Sequence, residues 1–529
     1  MGAAAAAGTT LSPGPTATAK AFAASAAIVM AGTIVSRLLG LVRQQVFAIE
    51  FGTSGQMDAF WTAFRLPDTI YNIVAGGLIG SSLIPVFAGL LARDRRDQAA
   101  HVASSVLNMM LVLAGALALV VEILAPQIVQ VLVPDYPPDQ KLLTVELTRV
   151  LLIQPIFLGA AGVLMGCLNA YQHFLLPTLA PILYNLSIIV AALVLGPRMG
   201  VEGLAVGVVA GALLQVAAQI PAMRAYRFRY SLQVDTKDAE VREVWRLMIP
   251  RVFAGASLYI NVLVAASLAS DLNIPGAYTG FSYAYQLMLL PLGIFAIAVS
   301  IVAFPTLSAQ VAREELSQMS RTLGQALKII LILTIPSSVG LILLREPIVR
   351  TLFQYGAFDS RSTALTADPL LFFAIGMFGH ATVEIVLRAF YALHETLRPV
   401  LINVVTLAIN LALSFALVGP LHQGGLALAI SVGVVIEALA LLALLQTRLP
   451  SFDWRGLVET VAKCVTAAAI MAVVLYIFVG LSGVPNTLAA RILQLGIGLA
   501  IGASVYFGTA FLMRMPELQY LRRIVRRAA

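Results

Sequence analysis

The stretch APILYNLS, Ala180–Ser187, returns as RPVLINVV, Arg398–Val405, with Pro181 and Asn185 answered by Pro399 and Asn403. GLAVGVVAGALLQ, from Gly203, returns as GLALAISVGVVIE, from Gly425. IPVFAGLLARD, from Ile84, returns as FPTLSAQVARE, from Phe304. Any one of these pairs is an agreement that apolar, Gly- and Pro-rich segments reach by chance. Three in the same order, at one spacing to within a few positions, mark an internal repeat.

What fills one period follows from composition. The chain has 529 residues, 60% hydrophobic and only 11% charged, against about 25% charged in soluble domains. Its apolar residues come in blocks of about twenty, the length that crosses roughly 30 Å of hydrocarbon. The short alternating segments of a membrane β-barrel are absent. The blocks and their polar punctuation give fourteen candidate helices, from 22–49 to 486–513.

One period holds six of them. Six is even, so both copies enter the membrane in the same direction. The expected fold is an all-α polytopic membrane protein of about fourteen transmembrane helices. It comprises two six-helix bundles related by a pseudo-two-fold along the membrane normal, plus two extra helices. In residues, this predicts a disordered cytosolic tail at 1–20, an N-terminal bundle at 21–222 and a cytoplasmic linker at 223–242. A C-terminal bundle at 243–446, an extra helix pair at 447–513 and a basic cytosolic tail at 514–529 complete it.

The loops test the count independently. With the N-terminus placed in the cytoplasm, twenty Lys and Arg fall in cytoplasmic loops and tails. Five (Lys141, Arg198, Arg345, Arg350 and Arg361) fall on the other side. Cytoplasmic loops carry such an excess as a rule, and an odd number of helices would scramble it. Both termini are therefore expected inside, and the net charge of +8 is topological, with no nucleic-acid role implied. The opening MGAAAAAGTTLSPGPTATAK lacks the basic-then-apolar order of a signal peptide, so the first membrane helix is expected to act as its own insertion signal. Cys167 and Cys464 sit in distant apolar blocks and read as small buried hydrophobes.

Against this background the charges inside apolar blocks stand out. SRLLGLVRQQVFAIEFGTSGQMDAFWTAFRLPD, Ser36–Asp68, carries Arg37, Arg43, Asp58 and Arg65. A charge near mid-membrane costs at least about 2.5–3.5 kcal/mol, so these residues serve a purpose or do not face lipid. Arg37 and Arg43 are six residues apart, roughly 120° around a straight helix. Either one faces a cavity while the other snorkels or pairs elsewhere, or Gly40 bends the helix and brings them together. Arg65 stands two residues before Pro67, a kink position where freed carbonyls can line a polar cavity. Asp58 is expected to restrain an arginine by ion pairing, or to be the interfacial partner of Arg65, seven residues on.

Further along, Arg251 follows Pro250, and Glu384 with Arg388 form an i, i+4 pair able to neutralise itself on one helix face. Glu384 is alternatively an ion-coupling carboxylate, and Glu437 is a second such candidate. Lys328 and Lys463 are expected to snorkel. The chain has no phosphate-binding Gly-rich loop, no His-Glu-x-x-His run and no nucleophile elbow. Its five histidines are scattered, none beside a second ligand at metal spacing. The reading is a transporter rather than an enzyme, without metal or cofactor, driven by the membrane potential or an ion gradient.

Several stretches resemble the MurJ/MviN family of lipid II flippases, in the multidrug/oligosaccharidyl-lipid/polysaccharide exporter superfamily. They are SRLLGLVRQ in the first helix and DAFWTAFRLPD with GGLIGSSLIPVFAGLL in the second. GCLNAYQHFLLPTLAPILYNLSII spans the fourth and fifth helices. PRVFAGASLYINVLVAASLAS lies in the seventh helix, YAYQLMLLPLGIFAIAVSIVAFPTLS in the eighth, and LRAFYALHETLRPV joins the tenth to the eleventh. The likeness runs through about twelve helices.

The resemblance implies fourteen helices with a cytoplasmic N-terminus, in the bacterial cytoplasmic membrane. It implies export of lipid II, a disaccharide-pentapeptide on undecaprenyl diphosphate, from inner to outer leaflet by alternating access. It also implies a cationic central cavity and a groove for the lipid tail at the extra helix pair. Membrane lipids and cell-wall synthesis proteins are the further partners it suggests. Arg37 and Arg43 match cavity arginines of the family, Asp58 its second-helix aspartate, and Arg65 a basic position. Arginine suits a diphosphate because its planar fork donates paired hydrogen bonds and stays protonated in a dry site.

The chain departs from the pattern at Gln44, where members often place an acid, and at Tyr71 and Gln286, where they carry cations. Arg251 is the candidate to replace the cation absent at Gln286. Two rival readings remain: an exporter of another polyprenyl-linked glycan or of a drug, and a non-transporting membrane scaffold. A cationic-drug exporter calls for acids in its cavity, and a scaffold gives no reason for intramembrane arginines.

Overall fold

The computed structural model describes residues 15–75, 82–449 and 451–517, with side chains described from residue 28 onward except at 75, 247, 249–260 and 262. Residues 1–14 of the expected N-terminal tail and 518–529 of the basic tail lie outside the described residues. All regular structure among the described residues is helical.

The elements run α1 (Pro15–Phe51), α2 (Gly55–Ala75), α3 (Ile84–Ala92), α4 (Arg96–Leu132), α5 (Pro138–Leu151), α6 (Gln154–Ala170), α7 (Leu175–Val194), α8 (Gly196–Met199) and α9 (Val201–Ala225). They continue with α10 (Ala239–Ser270), α11 (Ala277–Leu292), α12 (Ala298–Ala312), α13 (Leu316–Phe353), α14 (Ser360–Ala392), α15 (Leu397–Arg448), α16 (Trp454–Ser482) and α17 (Leu488–Leu512). Among the described residues, ten helical stretches are long and apolar enough to cross a membrane. One of them, α15, is 52 residues long and breaks at His422, where φ 49° and ψ −137° turn the chain out of the helix. It therefore makes two passages. With α1, α2 and α3 taken together, and α10, the described helices are consistent with the fourteen passages expected.

Prolines shape several of them. Pro291 lies inside α11 and contributes no amide donor, and two residues on the helix widens into a π turn, Gly293–Ile297, before continuing as α12. The single eighth helix expected from the sequence is thus a bulged one.

The chain divides into two compact units, the first made of residues 1–43, 70–119 and 150–252, the second of 44–69, 120–149 and 253–529. In the first unit α7 packs on α9 through small residues. A side chain on Gly203 would strike Leu195, one on Gly207 would strike Ala191, and one on Gly211 would strike Tyr184. Glycines four apart let two backbones approach closely, the usual device where lipid supplies no hydrophobic drive. The second unit repeats the contact: Gly425 abuts Leu417, and Gly433 faces Asn410 and the Thr406 carbonyl. Leu195 and Leu417, like Tyr184 and Thr406, stand at the same spacing along the chain as Gly203 and Gly425. The repeat read from the sequence is thus a repeat of helix contacts.

In the second unit α16 and α17 pack on each other and on α13, with Gly502 against Met471 and Leu475, and Gly498 against Leu344. Cys167 and Cys464 are free and buried. Lys328 reaches Asp453 at 3.3 Å and Lys463 reaches Glu459 at 2.7 Å, so both lysines end on a carboxylate.

Candidate functional site

α1 carries Arg37 exposed and Arg43 half-buried. Arg37 lines a cleft of about 410 Å³ within the first unit, walled by Gly32, Thr33 and Ser36 of α1 and by Asn169, Pro177, Thr178 and Pro181 from α6 and α7. The repeat residue Asn185 stands beside this cleft. Its amide donates to the Pro181 carbonyl at 3.0 Å and lies 3.5 Å from the Ser36 carbonyl on α1. One polar side chain on α7 therefore helps hold the stretch of α1 that bears Arg37.

α2 places Asp58 and Arg65 on one face, and both turn to the start of α11. Asp58 is 3% exposed. One carboxylate oxygen accepts from the Gly276 amide at 2.6 Å, and the other from the Thr279 amide and hydroxyl at 2.7 and 2.6 Å. Two turns along, Arg65 Nε donates to the Tyr278 hydroxyl at 3.2 Å, with its guanidinium 5.8 Å from the centre of the Trp61 ring. α2 continues through Pro67, and the Thr69 hydroxyl caps the Arg65 carbonyl at 2.7 Å.

The reason Asp58 is needed lies in α11 itself. The first amides of a helix have no partner within it, and the residue that should cap them is Gly276, at φ 89° with no side chain. Any Cβ there would overlap the Thr53 carbonyl. A carboxylate from another helix supplies the missing cap and suits the positive end of the helix dipole.

Around this anchor the turn between α1 and α2 is held at several points. The Thr53 and Ser362 hydroxyls meet at 2.8 Å. The Ala357 amide donates to the Ile49 carbonyl at 2.8 Å. Gln45 reaches the Leu352 carbonyl at 3.3 Å. Gly52, at φ 58°, presses on the Ala357 carbonyl where a side chain would not fit. The turn is thus buttoned to the α13–α14 connection as well as to α11.

The structure therefore joins Asp58 and Arg65 through α11 rather than to each other. Glu384 and Arg388 pair directly at 2.9 Å, each side chain about a third exposed, with Arg388 5.9 Å from the Phe304 ring centre. Glu437 is buried and accepts from Asn403 at 3.0 Å. Asn403 is the repeat counterpart of Asn185, so both copies use this asparagine to tie one helix to another. Gln286 is half-buried on α11. Arg251 belongs to α10, and its side chain lies outside the described residues.

Tyr278, Thr279, Trp61 and Asn403 were not singled out from the sequence as site residues. Only Asn403 carried a signal, its place in the repeat. Among the described residues, one group of side chains has the atoms to hold a metal ion: His101, Asp235 and Asp238.

The family model for lipid II flippase MurJ matches residues 47–494. A probable lipid II flippase MurJ of Rhizobium meliloti is 29% identical over 523 residues, covering 95% of this chain and 96% of that protein. A lipid II flippase MurJ of Burkholderia cenocepacia is 29% identical over 510 residues, covering 93% and 97%. Among solved structures, a lipid II flippase MurJ in an inward closed conformation superposes with a TM-score of 0.77 at 24% identity, over 92% of this chain and 98% of that one. An inward-facing multidrug transporter of the MATE family shares the fold at a TM-score of 0.67 and 16% identity. With the family model spanning most of its length, this multi-pass membrane chain belongs to the lipid II flippase MurJ family.

Proposed function

We propose that this protein flips lipid II from the inner to the outer leaflet of the bacterial cytoplasmic membrane by alternating access, with both termini in the cytoplasm. The observation that carries the reading is the family match across residues 47–494. The headgroup diphosphate is drawn in by Arg37, open on its cleft, with Arg43 one and a half turns along α1 and Arg65 held by Tyr278 as further cations. Asp58 positions the start of α11 rather than touching substrate. The junction of the α1–α2 turn with α11 and the α13–α14 connection lies on the outer side in this topology. Outward release requires it to part.

In this reading the protein is no enzyme and needs no cofactor. Membrane potential or an ion gradient drives it, with Glu384 and Glu437 as coupling carboxylates. Glu384 is released for coupling when substrate takes its place on Arg388. Gln286 and Arg251 border the substrate path. The bundles at 21–222 and 243–446 rock against each other, and the helix pair at 447–513 accommodates the tail.

Arg37→Ala and Arg43→Ala each abolish rescue of a flippase-depleted bacterium at unchanged protein level. Full rescue by both would reject the assignment. The uncharged Tyr71 and Gln286 favour one alternative, export of a different polyprenyl-linked glycan. Purified protein that binds another lipid-linked sugar more tightly than lipid II would establish that alternative.

A further inference from the structure

The segment between α9 and α10 runs over the surface of the first unit without regular secondary structure, so its backbone groups have no helix or sheet to satisfy them. α4 satisfies them instead. Asn108 donates to the Ser231 and Gln233 carbonyls, both at 2.8 Å, and accepts from the Tyr230 hydroxyl at 2.5 Å. The Ser104 hydroxyl accepts from the Ser231 amide at 3.2 Å. His101 Nε2 lies 3.3 Å from Asp235 Oδ2. Positions 101, 104 and 108 form one stripe along α4, so the connecting segment is laced to a single helix face.

We propose that the last rung of this lacing, His101 with Asp235 and Asp238, is a binding site for a divalent transition metal of the zinc type. The inference is independent of the transport reading. Donor atoms of the three residues all lie within 4.8 Å of one another. The 3.3 Å between His101 Nε2 and Asp235 Oδ2 equals the ligand–ligand edge, about 3.3 Å, of a tetrahedron with metal bonds of about 2.0–2.1 Å.

Both carboxylates are already oriented. Asp235 Oδ1 accepts from the amides of Lys237 and Asp238 at 2.9 and 3.1 Å. Asp238 Oδ1 accepts from those of Glu240 and Val241 at the same two distances. Asp235 is thereby left with Oδ2 facing His101, and such outer contacts hold metal ligands in place. Imidazole and carboxylate donors together suit zinc, with water completing the four positions. On binding, Nε2 coordinates as the neutral imidazole, and any proton it carried leaves to solvent. His101 lies on α4 and both aspartates in the connection that follows α9, which is why ligand spacing along the sequence gives no hint of the site.

The test uses full-length, tag-free protein purified in detergent. Equilibrium dialysis against micromolar zinc should find about one bound ion per chain. Cobalt in its place should show the visible bands of a tetrahedral nitrogen–oxygen site. His101→Gln should weaken zinc binding at least about tenfold while the metal-free thermal profile stays unchanged. Zinc should also slow amide exchange across residues 229–241 of the parent several-fold, a readout that needs no variant. A parent that binds no zinc, a His101→Gln variant that binds it as tightly as the parent, or exchange across 229–241 indifferent to bound zinc would each overturn the site.

Discussion

Asp58 shows what a single buried charge does in this protein. Its oxygens accept three hydrogen bonds from the first turn of α11 and the residue before it, so the charge is spread over donors that would otherwise be unsatisfied. Removing the acceptor leaves two amides and a hydroxyl buried without partners, each costing about 1–3 kcal/mol. Asp58→Ala should therefore destabilise the protein by roughly 3 kcal/mol or more, and Asp58→Asn, which keeps one acceptor, by about half that. Thermal unfolding in detergent measures both, and an Asp58→Ala variant that melts with the parent would refute this account. The sequence shows that Asp58 and Arg65 share a helix face, and their partnership was the natural expectation. It does not show that both point at the start of α11, in the other half of the chain. Backbone amides carry no residue signature, and Gly276 contributes only an absence.

At the scale of elements, legibility depended on whether a break has its own chemistry. The turn inside α15 was readable because Pro420, His422, Gly424 and Gly425 crowd together, and the α7–α9 and α15 hairpins because their glycines repeat. The π turn after Pro291 and the pause between α5 and α6 at residues 152–153 are each marked only by one proline, Pro291 and Pro155, inside otherwise apolar sequence, too little to separate a break from a kink in a continuing helix. Connections also carry their own electrostatics. Asp271, just past α10, interacts with the carboxyl of Asp135 in the α4–α5 connection. Partial burial, then the neighbouring Asp135 carboxyl, hold the Asp271 carboxyl above the usual range.

A raised carboxyl keeps its proton in the folded chain over a window where the unfolded chain has lost it. Stability there falls as pH rises, and the penalty is complete above the folded pKa. Asp271→Asn removes the penalty. It should melt about 1 °C above the parent at neutral pH and together with it below the carboxylate range. Equal melting at both pH values would remove Asp271 from the account.

For the whole molecule, the number of passages was legible because bilayer thickness sets helix length. The surroundings of Arg37 and Arg65 were less so, because Asn169, Pro177, Pro181 and Tyr278 come from segments far from them along the chain. Sidedness rests on the charge bias and makes its own prediction. Cys167 and Cys464 are buried, so the parent should react poorly with a maleimide that cannot cross membranes. In intact cells stripped of any outer membrane, a cysteine replacing Lys141 should label fully, and one replacing Arg95 only after the membrane is permeabilised. The reverse pattern would invert the topology.

Gly52 and Gly276 bring peptide units into direct contact at the α1–α2 turn, with no side chain between them. A gap of about 0.5–1 Å already forfeits roughly a quarter to a half of that attraction, so a partly separated seam is much weaker than a closed one. The joint should behave as a mechanical detent, either seated or sprung. An observer following it in single molecules should find two dwell positions with nothing lingering between them.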